Sequence, residues 1–275
     1  MKESVEEKKY APVGVFDSGV GGLTVAREIM RQLPEESIIY FGDTARVPYG
    51  SKSKETIIRY SKQIIHFLES MGVKAIVVAC NTASAFALEE LRPEMKMPII
   101  GVVKPGAKAA AKTTQNGRIG VIGTEGTVGS QIYTEMIHRH NPKAQILGKA
   151  CPLFVPLVEE GWLKDPVTIE VAKRYLASFQ ESGIDTLILG CTHYPLLRSA
   201  IQDIMGSSVN LVNPAYETAQ GLRRLLEGHQ IANDGKAGPA KYQFYVSDAA
   251  EKFKNFANSI LPCEIKEAQL IHIEE

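Results

Sequence analysis

One stretch of this chain occurs twice: GVKAIVVACNT, Gly72 to Thr82, aligns without a gap against GIDTLILGCTH, Gly183 to His193. Each copy is a short β-branched and apolar run, the pattern of a strand buried on both faces, and each ends on a cysteine eight residues after its glycine. Upstream, VGVFDSG from Val13 resembles IGVIGTEG from Ile119, so that Asp17 and Thr124 stand 63 and 67 residues before the paired cysteines. A repeat of this length, with a helix-sized interval between its strands, predicts two related α/β lobes.

The rest of the chain has the same alternation. Val13 to Phe16, Ile38 to Phe41, Ala75 to Ala79, Ile99 to Val102, Ile119 to Ile122, Gln145 to Leu147, Thr186 to Leu189 and Asn210 to Val212 read as buried parallel strands. Between them, Leu23, Ala26, Ile29 or Met30 and Leu33, and then Ile57, Tyr60, Ile64, Leu68 and Met71, recur at the three- and four-residue intervals of helices packed on a sheet. The fold class expected is α/β: two lobes, each a mainly parallel sheet flanked by helices, with the active site in the cleft between them. The first lobe would comprise 1–98 plus 206–275 and the second 99–205, so that two chain crossings form a hinge. KYQFYVSDAAEKFKNFANSIL near the end reads as a strand and a helix with Phe253, Phe256 and Ile260 on one face, an edge addition to the first lobe. Lys236 to Ala240, with Gly238-Pro239, reads as a loop.

Composition narrows the function classes. Lys plus Arg and Asp plus Glu each total 31, so no net field draws the protein to nucleic acid or an anionic membrane. The opening MKESVEEKKYAPVG has no apolar core of a secretory signal, and no segment approaches a membrane span; a cytoplasmic location is expected. Cys80, Cys151, Cys191 and Cys263 are scattered without a C-x-x-C pair, which suggests free thiols, no metal site and no disulfide framework. A homodimer is compatible with the chain, but nothing in it specifies one.

Cys80 and Cys191 both fall at the carboxyl end of a parallel strand, where open α/β sheets bind their ligands. A single cysteine there would be read as a small buried hydrophobe, but a duplicated one points to function. Polar residues follow each thiol, Asn81, Thr82 and Ser84 after the first and Thr192, His193 and Tyr194 after the second. His193, two places from Cys191, is placed to exchange protons with it. Asp17-Ser18-Gly19-Val20-Gly21-Gly22 is a glycine-rich turn between a strand and a helix, serving either as an anion site or as a structural turn. It lacks the dinucleotide fingerprint, since Thr24 stands where a glycine would be needed. FGDTARVPYGSKS, Phe41 to Ser53, is a loop at the same sheet end. Glu159 and Glu160 in VPLVEEGW read from spacing alone as a solvated pair.

Together, FDSGVGGLT, YFGDTARVPYGSKS, ACNTAS and LGCTHYPLL resemble the glutamate racemase branch of the aspartate/glutamate racemase family over nearly the whole chain. The resemblance implies cofactor-independent interconversion of L- and D-glutamate, with D-glutamate supplied to bacterial peptidoglycan. It implies that Cys80 and Cys191 are the acid/base thiols, and that Asp17 and Ser18, Tyr49 and Gly50, Asn81 and Thr82, and Thr192 and His193 hold the substrate. Asp17 would assist on the Cys80 side, and Glu159 with His193 on the Cys191 side. Cys80 would deprotonate D-glutamate and Cys191 L-glutamate.

The chemistry suits such a pair. Racemisation removes the Cα proton from one face and delivers another to the opposite face, which two opposed bases do without crossing the substrate plane. Turnover of aspartate would point instead to a related acidic amino-acid racemase. A two-lobed acidic amino-acid binder would share the anion-holding turns without needing matched thiols, and would not exchange solvent deuterium into Cα. A dithiol redox protein is disfavoured by the absence of a C-x-x-C helix start.

Overall fold

The computed structural model describes residues 5–236 and 238–273. The first sheet contains β1 (Val13–Asp17), β2 (Ile38–Gly42), β3 (Ala75–Val78) and β4 (Ile99–Gly101); the second contains β5 (Arg118–Gly123), β6 (Gln145–Ala150), β7 (Thr186–Gly190) and β8 (Asn210–Val212). The chain then adds β9 (Tyr242–Val246) and β10 (Gln269–Leu270) to the first sheet. Strand order is β10-β9-β2-β1-β3-β4 in one sheet and β6-β5-β7-β8 in the other, and every pairing is parallel. The second sheet thus repeats the four-strand core of the first, and the expected strands all form.

Pairing places the crossings later than sequence spacing suggests. β4 lies beyond residue 98 yet pairs with β3, and β8 lies beyond residue 205 yet pairs with β7. The first sheet therefore keeps Ile99–Gly101 and the second keeps Asn210–Val212. Met97-Pro98 and Gly206 are turns before a last strand, and the chain changes lobe only after that strand. Helix Val103–Thr113 packs in the second lobe's core, whereas Pro214–Gly228 packs in the first.

Alternating residues of each buried strand feed two cores. Val13 and Val15 enter one face of the first sheet and Phe16 the other; Leu187 and Leu189 enter one face of the second sheet and Ile188 the other. The duplication reaches side-chain packing. A Cβ on Gly14 in β1 would press on Val73, and one on Gly120 in β5 would press on Ile184, the residues that follow the equivalent glycines Gly72 and Gly183. Both of those glycines adopt positive φ, 71° and 68°, to turn the chain from helix to strand. Strand register also refines the equivalence between the halves: Phe16 pairs with Val78 as Ile122 pairs with Leu189, so Asp17 corresponds to Gly123 and Ser18 to Thr124.

Helices Leu23–Gln32 and Lys54–Ser70 form where the periodicity places them, the second capped by Ser53 accepting from Thr56 N–H. The terminal strand forms, and helix Ala250–Ile260 buries Phe253 against the first core with Phe256 and Ile260 partly covered. β10, the outermost strand, is two residues long and has no periodic signal. Of the loop expected over Lys236 to Ala240, Ala237 lies outside the described residues, as do 1–4 of the opening stretch. No helix among the described residues is long and apolar enough to cross a membrane.

Candidate active site

The order β2-β1-β3 makes the chain leave β1 toward both neighbours, which opens a crevice beyond the carboxyl ends of β1 and β3; β6-β5-β7 does the same in the second lobe. Ser18 and Cys80 emerge at the first crevice, Thr124 and Cys191 at the second. A cavity of about 360 Å³ lies between them, lined by Ser18, Tyr49, Gly50, Cys80, Asn81, Thr82, Glu159, Cys191, Thr192 and His193, with Thr124, Glu125, Pro152, Val155 and Pro156 completing the second lobe's wall. That volume lies within the range of small-molecule sites. Every site residue expected from the sequence is on its wall except Asp17, which is buried behind Ser18.

Cys80 caps the short helix Asn81–Phe86. Its Sγ accepts the Ala83 N–H at 3.4 Å and lies 3.7 Å from Ser18 Oγ. Burial, and then the Asp17 carboxylate, push this thiol up to about 12 from 9.0, against the opposing hydrogen bonds from Ala83 and Ser18; a charge on Cys191 raises it further. Asp17 itself is raised by burial, although the His193 charge and the backbone N–H groups of Gly22, Gly19 and Ser18 oppose the shift. Those contacts decide the role of the glycine-rich turn. Its amides close on the Asp17 side chain, Gly19 N–H donating to Oδ2 at 3.1 Å, so the anion held by the turn is the protein's own. Asp17 Oδ1 is buried without a hydrogen-bond partner among the described residues.

On the other side, Cys191 Sγ lies 3.7 Å from His193 Nδ1, and His193 Nε2 lies 3.1 Å from Glu159 Oε1. Burial works against a charge on His193, but the bonds to Cys191 and Glu159 and the charges of Cys191 and Asp17 outweigh it, raising the ring to about 10 from 6.5. The same contact with His193 holds Glu159 below the usual carboxylate range. The solvated glutamate pair suggested by spacing therefore divides: Glu160 is exposed, and Glu159, at the end of helix Phe154–Glu159, is half-buried against the imidazole. Spacing had no means of showing this, because the partner is 34 residues away.

The loop 43–53 brings Tyr49 and Gly50 over the cavity. Asp43, fully buried at the end of β2, accepts from Tyr49 Oη, from Ser247 Oγ at 2.9 Å and from Arg46 Nε at 2.8 Å. Arg46 stacks 4.0 Å from the Tyr60 ring centroid. Tyr49 thus commits its hydroxyl to Asp43, and its ring packs on Tyr60 within the first lobe's core. Sequence reading passed over Asp43 and Arg46; a loop charge three residues from an opposite charge was the available signal.

Hydrogen bonds join the lobes around the cavity. Thr24 Oγ1 donates to Thr192 O at 2.9 Å, Thr82 Oγ1 meets Thr124 Oγ1 at 2.9 Å and Thr127 Oγ1 at 3.2 Å, and Tyr133 Oη donates to Asn81 Oδ1 at 2.7 Å. Gly21 is a glycine because a Cβ there would lie 2.4 Å from Thr192 Oγ1 and 2.5 Å from the His193 ring. Among the described residues, the cavity wall holds no lysine or arginine. An anionic ligand would meet neutral N–H and O–H donors and the imidazole, with the carboxylates of Glu125 and Glu159 on the same wall.

Residues 14–221 match the family described as Asp/Glu/Hydantoin racemase. A glutamate racemase of Geobacter metallireducens is 48% identical over 265 residues, covering 96% of this chain and 98% of its own. Among solved structures, a glutamate racemase isoform of Bacillus anthracis superposes with a TM-score of 0.91 at 40% identity, over 97% of this chain and 98% of that one. The glutamate racemase of Francisella tularensis, crystallised with D-glutamate, does so with a TM-score of 0.89 at 38% identity, over 97% and 99%.

Proposed function

Because the chain belongs to the Asp/Glu/hydantoin racemase family, we propose that it interconverts L- and D-glutamate by passing the Cα proton between two thiols, Cys80 and Cys191. The observation that carries this reading is that the two cysteines occupy equivalent strand ends of a duplicated core and line one cavity from opposite lobes. The high identity over nearly the full length to relatives named for glutamate supports the choice of substrate over aspartate.

In one direction the Cys191 thiolate takes the Cα proton of L-glutamate, the electron pair passes toward the α-carboxylate, and the Cys80 thiol delivers its proton to the opposite face. The product is D-glutamate, with Cys80 left as thiolate and Cys191 as thiol; the reverse reaction starts from that state. A Cα proton beside a carboxylate is very weakly acidic, so the carbanion needs preorganised donors and little water. Ser18, Asn81, Thr192 and the backbone of Tyr49 and Gly50 line the cavity as such donors.

After a D-to-L turnover, which leaves Cys191 as thiolate, His193 held protonated by Glu159 returns a proton to Cys191 while Cys80 releases its own to solvent. After an L-to-D turnover, protonated Asp17 supports the corresponding return to Cys80 while Cys191 releases its proton. The reaction needs no cofactor, and the protein acts in the cytoplasm as a source of D-glutamate for peptidoglycan. Incubation with L-glutamate in deuterated buffer tests the reading: optical rotation should decay to zero while the D product carries solvent deuterium at Cα, in the presence of chelator and of a carbonyl-trapping reagent. Unchanged rotation with no exchange would reject it.

A further inference from the structure

Asn81 reaches the cavity with two different ends, and which end faces a ligand decides what it can hold. An amide oxygen repels a carboxylate; an amide NH₂ binds one. The residue that settles the choice comes from the opposite lobe. Tyr133, on helix Ile132–His138, is buried, and its Oη stands 2.7 Å from Asn81 Oδ1. That oxygen is the one hydrogen-bond partner of Tyr133 Oη among the described residues. A buried hydroxyl must place its proton on an acceptor, so Asn81 presents Oδ1 to the tyrosine. Asn81 Nδ2 has no partner among the described residues, is not sealed from solvent, and belongs to a side chain on the cavity wall.

We propose that Tyr133 is a positioning residue for the racemase reaction: its hydroxyl, donating across the lobes to Asn81 Oδ1, turns the Asn81 amide NH₂ into the cavity as a donor to a substrate carboxylate. This inference rests on the racemase reading given above. The arrangement also ties the donor to lobe closure, since Tyr133 and Asn81 belong to different lobes and the bond exists only when they meet. The tyrosine is held in place by its surroundings. A Cβ on Gly190, the residue before Cys191, would lie 3.2 Å from the Tyr133 ring, and burial keeps the phenol protonated well above its ordinary range. Tyr133 is therefore a standing donor throughout the pH range of activity.

A double-mutant cycle on Tyr133→Phe and Asn81→Ala, measured in both directions of the reaction, tests the assignment. Tyr133→Phe should lower kcat/KM about tenfold for both enantiomers, mostly through a higher KM, because the carboxylate is bound in the ground state as well as in the transition state. In the Asn81→Ala background the same substitution should add less than a twofold loss. An equal tenfold loss in that background, or wild-type kinetics for Tyr133→Phe alone, would overturn the proposal. If Tyr133→Phe does not fold, Asn81→Asp decides: it keeps the acceptor for Tyr133 but has no NH₂, and retention of wild-type KM would overturn the assignment. Should the wild-type protein prove inactive, the racemase reading fails by itself, and calorimetric titration of glutamate into the same proteins still reports whether Tyr133 acts through Asn81.

Discussion

The two halves of the site share a scaffold and differ in charge. Cys80 and Cys191 end equivalent strands, and Asn81 and Thr82 stand where Thr192 and His193 stand in the other copy. Yet Cys80 looks onto a hydroxyl and a buried carboxylate, whereas Cys191 looks onto an imidazole backed by a carboxylate. Neither charged neighbour is duplicated: the counterpart of Asp17 is Gly123, and that of His193 is Thr82. The duplication fixes where the sulfurs are, and the positions at which its two copies differ fix how each sulfur exchanges protons. A nearly symmetric reaction is thus served by an asymmetric pair.

The largest effect tests what the halves have in common. Cys80→Ala and Cys191→Ala should each reduce racemisation by about 10³-fold in both directions, since every turnover uses one thiol as base and the other as acid. Cys151→Ala, outside the cavity wall, should leave the rate within about twofold of wild type if it folds. A Cys151 loss matching that of Cys80 in a folded protein would break the pairing.

Removing the charged neighbours separates the halves. His193→Asn should cost about 10²-fold, with Cys191 alkylation altered and Cys80 alkylation unchanged. In the wild type without substrate, Cys80 labelling should rise about tenfold per pH unit from 9 toward about 12, because burial and Asp17 keep it a thiol. Asp17→Asn should move that rise to lower pH; peptide mapping across a pH series reads both. A pH profile unchanged by Asp17→Asn would remove Asp17 from the Cys80 environment.

Glu159→Gln should act more gently, lowering the rate about tenfold and moving the alkaline limb of the pH–rate profile downward, because Glu159 helps hold the His193 proton up to about 10. The linkage has a definite sign. The folded His193 value is above its unfolded 6.5, so its contribution to stability is complete below about 6.5, declines above that and is gone beyond about 10. Denaturant titrations of wild type and Glu159→Gln between those values should converge as pH rises. The smallest effect belongs to the loop on the Cys80 side: Tyr49→Phe removes one bond to Asp43 and should cost about 1 kcal/mol of stability, with racemisation changed less than threefold. A thermal melt and a rate assay distinguish this from a direct ligand contact by the hydroxyl.

Much of this was legible because the signal was local. Parallel strands read as short apolar runs, and eight of them stand out between Val13 and Val212, although β6, expected to be buried, is a partly exposed edge strand; the repeated glycine-to-cysteine interval revealed the duplication. The crossings were misplaced because Pro98 and Gly206 mark turns, and a turn does not say to which sheet the next strand will bond. Glu159 was ambiguous for a similar reason, its partner His193 being remote in the chain. The glycine-rich turn was undecidable from composition, since its amides turn toward Asp17 only in the folded chain. Tyr133 gave no signal in sequence at all: a tyrosine on a helix reads as an ordinary core residue, and the contact with Asn81 crosses between lobes.

The division of labour between the thiols is open to one direct measurement, the primary deuterium isotope effect on α-deuterated L- and D-glutamate for Cys80→Ser and Cys191→Ser. A serine hydroxyl still donates a proton but is a poor base, so each variant should be slowed most when its altered residue must deprotonate the substrate. Cys80→Ser should show its larger isotope effect with D-glutamate and Cys191→Ser with L-glutamate. Equal isotope effects for both enantiomers in both variants, with proton transfer rate-limiting, would contradict one thiol per face and indicate a single base or a shared relay.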